Sequence, residues 1–177
     1  MNFLDIVIII IVAIFSLAGL WFGLFHTAGS LFGTVVGAYI ASRYYETLAQ
    51  WLVHTTGWGE NLSRVIVFIG IFYVISRAIG VAFWLFGKVA GLILPIPFKK
   101  ALNRFLGMIF GFFEGLLTIG IALYFIDKFP LSGAVMGAIG SSSFAPYAID
   151  VASLLFPLFP EALRVLKSTV DTIEQSV

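Results

Sequence analysis

The stretch Gly29-Ser30-Leu31-Phe32-Gly33-Thr34-Val35-Val36-Gly37-Ala38-Tyr39-Ile40-Ala41 decides the fold. Gly29, Gly33, Gly37 and Ala41 fall four positions apart inside an apolar run. On an α-helix that step stacks each small residue nearly above the last, cutting a groove into which another backbone can settle. In water each helical glycine costs roughly 1 kcal/mol against alanine. In lipid the helix holds its own backbone hydrogen bonds, and the groove becomes a packing surface. Gly107, Gly111 and Gly115 repeat the pattern further along.

Composition agrees with a membrane setting. The chain has 177 residues, 60% hydrophobic and 11% charged, where a soluble domain carries about 25% charged residues. Mean hydropathy is +1.07. A net charge of +1 with no basic run longer than Lys99-Lys100 gives nucleic acid no footprint. Cysteine is absent, which excludes disulfides, thiolate nucleophiles and thiolate metal sites. The first apolar run carries Asp5, has no preceding Lys or Arg and shows no clear cleavage site, so it is expected to stay as a membrane helix.

A spanning helix needs about 20 apolar residues. Four candidates follow, at about 4–22, 27–45, 65–86 and 105–126, forming an all-α transmembrane domain over residues 1–128. A short turn is expected at Gly23 to His26, and a polar connection through Trp51, His54, Trp58 and Glu60. A tilt or a break near Gly87 and Gly91 is expected before Pro95 and Pro97 end the third helix. Residues 129–177 read as a tail on the outer face. Prolines 130, 146, 157 and 160 cut its first part into short pieces, and Ser141 to Ser143 read as a cap before a short helix. From Pro160 on, Leu163, Leu166, Val170 and Ile173 line one side of an amphipathic helix.

Lys88, Lys99, Lys100 and Arg104 crowd the third connection and place it in the cytoplasm. With four spans both termini then lie outside, where Arg43 and Arg64 are matched by Glu46 and Glu60. Trp21 and Trp84 fit an inner aromatic belt, and Tyr44, Tyr45 and Trp51 an outer one. Asp5 and Asp127-Lys128 read as interfacial anchors.

Chemistry-bearing groups are few. In the third helix Gly70, Tyr73, Arg77, Gly80, Trp84, Gly87 and Gly91 alternate at spacings of three and four, a seam suited to helix packing with an arginine at its centre. A charge there costs about 3 kcal/mol, so Arg77 is expected to point inward to a partner. Arg77 lies eleven residues before Lys88 and Glu114 ten after Arg104. At 1.5 Å per residue both sit roughly 15–16 Å from the same surface, which predicts an Arg77–Glu114 contact. It serves either as a structural pair or as a polar path. His26 and His54 fall on opposite sides, and neither H-E-x-x-H nor G-x-S-x-G occurs. No catalytic residue, metal site or cofactor is expected.

Asp5 near the start of the first helix, the glycine turn into a glycine-bearing second helix, and Asn103-Arg104-Phe105-Leu106-Gly107-Met108-Ile109-Phe110-Gly111-Phe112-Phe113-Glu114-Gly115 together resemble the colicin V production protein family. The resemblance covers about residues 2–128. In the family, Asp is usual where this chain has Asn103, and Arg where it has Glu114. The resemblance implies a multipass bacterial inner-membrane protein needed for producing or exporting a peptide toxin and for envelope integrity, and it brings no catalytic residues. The leading expectation is a non-enzymatic accessory or scaffold protein that contacts the bilayer and an envelope or membrane protein. The alternatives are a small homo-oligomeric channel or transporter using Arg77 and Glu114, and a membrane anchor for an extracytoplasmic partner.

Overall fold

The computed structural model describes residues 2–93 and 100–155. Six helices follow one another: α1 (Phe3–Phe22), α2 (Leu24–Thr56), α3 (Glu60–Ile93), α4 (Lys100–Lys128), α5 (Gly133–Gly140) and α6 (Ala145–Ser153). The first four are long and apolar enough to cross a membrane. The described residues contain no strand.

Local chemistry sets the boundaries. Asn2 and Asp5 form a capping box at the start of α1, each side chain accepting the other's backbone N–H. The first turn is shorter than the expected Gly23 to His26, being Gly23 alone at φ 83°, ψ 177°. That backbone region is essentially closed to residues with a Cβ. From α4, the Asn103 side-chain oxygen then accepts the Leu24 N–H at 3.2 Å, capping α2 from across the bundle. At the far end Gly57 adopts φ 71° and donates its N–H to the Val53 carbonyl, which stops α2.

The helices outrun the expected spans. α2 continues through Trp51 and His54, α3 begins at Glu60 and runs unbroken past Gly87 and Gly91, and Lys100 and Arg104 sit inside α4. At 1.5 Å per residue the 33 residues of α2 reach about 50 Å, well beyond a bilayer core of about 30 Å. Hydropathy marks only the apolar part, whereas polar residues such as Glu46, Gln50 and His54 extend a helix as readily in water. Arg64 ties the extended ends together, with one guanidinium nitrogen 3.0 Å from Glu46 and 3.3 Å from Glu60. Pro95, Pro97, Lys99 and the amphipathic stretch from Pro160 lie outside the described residues.

α2 packs along α3, α1 along α4, and the two pairs meet where α2 crosses α4. α3 and α4 barely touch, although they are consecutive in the chain. Near the end that holds the start of α3, Phe68 and Phe125 stack with centroids 3.8 Å apart and Tyr45 presents its edge to Phe125. Beyond α4 the chain folds back. The expected serine cap gives way to Phe144 at the N-cap, which has no side-chain cap bond; Ser142, two residues earlier, accepts the Ala145 N–H at 3.0 Å, and Pro146 stands in the first turn. Ala145, Ala148 and Ala152 are fully buried and lay α6 across α4. Ala148 joins Ile8 and Val12 of α1, and Ala152 joins Ala38 and Phe72 of the other pair. Ile6, Ile9, Ile10, Ile14 and Leu17 of α1 face outward, the surface a bilayer would cover.

Candidate intramembrane site

The glycine stripes bring the helices close enough to enclose a site. On α2, a Cβ at Gly33 would stand 2.7 Å from the Ser76 carbonyl oxygen, and one at Gly37 3.0 Å from that of Phe72. Gly29 lies against the Phe83 side chain, and Ala41 is fully buried. On α4, Gly107 meets the backbone of Gly19 and Gly23, Gly111 that of Phe15 and Ser16, and Gly115 the Val12 Cα at 3.0 Å. Both stripes are therefore filled by other helices of the same chain. Gly80 faces Ser30 at 3.6 Å, whereas Gly70 has nothing within 4 Å and packs no helix among the described residues.

The seam on α3 does not turn inward as expected. Of the seam residues whose burial is described, Gly70, Tyr73, Arg77 and Trp84 are exposed, and Gly80 is buried against α2. The close contact of α2 with α3 uses Phe72, Ser76, Ile79 and Phe83 instead. Those residues lie on the face that complements the α2 glycines, so the glycine stripe, not the arginine, selects the rotation of α3.

Between the pairs lies a polar cleft. Two adjoining hollows share Phe15, Ser30, Arg77 and Glu114. The larger, about 100 Å³, extends past Thr27 and His26 toward the end that carries Lys100 and Arg104. The smaller, about 20 Å³, reaches Thr34, Phe72, Ser76 and Thr118. Glu114 is 5% exposed. Its Oε1 accepts the Ser30 hydroxyl at 2.5 Å.

Arg77 and Glu114 thus line one cleft, but the predicted contact between them does not form: neither a hydrogen bond nor an ion pair joins them among the described residues. The Arg77 guanidinium instead sits 5.6 Å from the ring centre of Phe15 and 5.7 Å from that of Tyr73, contacts worth about 0.5–2 kcal/mol each. The expectation rested on equal depth and on α3 and α4 being neighbours. They are not neighbours, because α2 lies between them and supplies Ser30.

Three residues have structural roles that the sequence reading did not assign. Ser30 stands in the α2 stripe beside Gly29, and a polar residue four positions before Thr34 was a usable signal. Asn103 caps α2 through a contact that no local pattern encodes. Asp5 reads as an anchor in sequence, but it is fully buried and accepts from the Ser142 hydroxyl at 2.6 Å and the Ser143 N–H at 2.9 Å. It pins α1 to the N-terminus of α6. Lys100 and Arg104 are exposed in the first turns of α4. The Lys88 side chain lies outside the described residues. Those residues hold no group of three His, Cys, Asp or Glu able to take a metal.

Four spanning helices and internally packed glycine stripes, with a polar cleft between the helix pairs, define an all-α polytopic membrane protein. Residues 4–153 match the family model described as Colicin V production protein, and the chain belongs to that family. The match runs beyond residue 128, through α5 and α6. The chain is 29% identical over 129 residues to the Colicin V production protein of Escherichia coli (strain K12), covering 73% of this chain and 76% of that relative. No solved structure matches.

Proposed function

We propose that this chain is a non-enzymatic accessory protein of a bacterial cytoplasmic membrane that supports production of a colicin V-like peptide through contacts with an envelope or membrane protein. The observation that carries this reading is the family match over residues 4–153. The geometry adds support. The charged side chains at the α2–α3 end join helices, as Arg64 does, and Asp5 joins α1 to α6. The channel alternative needs a continuous polar path, and the two adjoining hollows between the pairs hold about 100 and 20 Å³. The anchor alternative rests on residues 160–177, which lie outside the described part of the chain.

The proposed orientation puts Lys100 and Arg104 in the cytoplasm, with both termini outside. The test is complementation of an Escherichia coli strain that lacks its Colicin V production protein and carries the toxin determinants. Restored secretion of active toxin supports the reading. An inserted, expressed chain that restores nothing contradicts it.

A further inference from the structure

We propose that the cleft between α1 and α3 is a binding site for a small zwitterion carrying a primary ammonium and an acidic anion, the chemistry of an ethanolamine phospholipid headgroup. Arg77 and Glu114 are opposite charges on one cleft, yet no ion pair joins them. The helices that carry them barely touch, and both side chains line the same hollow, Arg77 from the α3 side and Glu114 from the α4 side. A guanidinium presents five N–H donors, and none is engaged among the described residues. Only one Glu114 oxygen has a described partner, Ser30. In the same hollow the His26 Nδ1 is buried without a hydrogen-bond partner.

An anion alone would face the Glu114 carboxylate, and a cation alone would face Arg77. A zwitterion meets both, its phosphate or carboxylate on Arg77 and its ammonium N–H groups on Glu114. About 100 Å³ suits a group of a few heavy atoms. The mouth of the cleft is apolar, at Ile14, Ala18 and Phe22, and Ile14 is exposed on the lipid-facing side of α1. A headgroup could therefore enter sideways with its acyl chains left in the bilayer. The adjoining hollow, lined by Phe72 and Tyr73 as well as Ser76 and Thr118, has only about 20 Å³.

Native mass spectrometry of the full chain, released from nanodiscs with equal parts phosphatidylethanolamine, phosphatidylcholine and phosphatidylglycerol, reads this directly. Wild type is expected to retain phosphatidylethanolamine over phosphatidylcholine by about fivefold or more, the weight of one hydrogen bond that a quaternary ammonium cannot donate. Glu114→Gln is expected to bring that ratio toward unity, and Arg77→Gln to lower retention of all three lipids. Displacement by free phosphoethanolamine or glycine would assign the same site to a soluble zwitterion. Equal retention of the three lipids by wild type, with no displacement by either soluble zwitterion, overturns the proposal. So does a preference that both variants keep. The wild-type comparison stands even if a variant fails to fold.

Discussion

At Gly23 one residue does the work of a loop. Its φ of 83° excludes side chains, and the space where a Cβ would go is filled by the Asn103 amide, which places α4 beside the α1–α2 corner. Gly23→Ala should therefore destabilise the protein by about 1–3 kcal/mol, the cost of one residue in a glycine-only conformation. Denaturant titration followed by tryptophan fluorescence measures it, and an unchanged midpoint would show that the corner relaxes freely. Asp5 acts at the other end. Asp5→Ala removes a buried acceptor and leaves the Ser142 hydroxyl and the Ser143 N–H without it, at about 1–3 kcal/mol. Hydrogen exchange should rise in residues 133–153 while the central turns of α2 stay protected. Equal protection in wild type and variant would remove Asp5 as the link to α6. These roles were only partly legible in the sequence. A glycine turn shows locally, as does a serine run before Pro146, but the residues that tie Gly23 to α4 and Asp5 to α6 lie 80 and 137 or more positions away. Only the fold joins them.

The helices themselves were largely legible, because roughly 20 apolar residues have few alternatives in lipid. Their true lengths were not, because the polar ends of α2, α3 and α4 carry no hydropathy signal. Their partners were half legible. Small residues four apart announce close packing, and the α2 and α4 stripes do pack closely, but spacing alone cannot say against which helix. Gly70 shows the limit: it belongs to a regular seam and touches nothing, since the glycine groove of α2 turns α3 the other way. Two substitutions separate these cases. Gly111→Ile drives a side chain into the Phe15 carbonyl and should cost upwards of about 3 kcal/mol, the severe end of overpacking. Gly70→Ala should stay within about 0.5 kcal/mol in the same unfolding assay. A large loss at Gly70 would mean that its face is covered.

For the whole molecule the arrangement is two helix pairs, α1–α4 and α2–α3, crossed at α2 and α4 and strapped by α6. The cysteine-free sequence makes its orientation easy to read, since any introduced thiol is alone. Thr56→Cys in intact cells should react with a membrane-impermeant maleimide, and Lys100→Cys only after permeabilisation. The reverse pattern would invert the proposed topology. The glycine stripes of α2 and α4 are filled by helices of the same chain, which makes the bundle self-contained. Native mass spectrometry of wild type and Gly111→Ile in nanodiscs tests this most directly, with thermal unfolding of the same samples alongside. Wild type is expected as a monomer, and the variant as a monomer of markedly lower thermal stability. A wild-type oligomer that Gly111→Ile converts into equally stable monomers would place the groove between subunits and contradict a self-contained bundle.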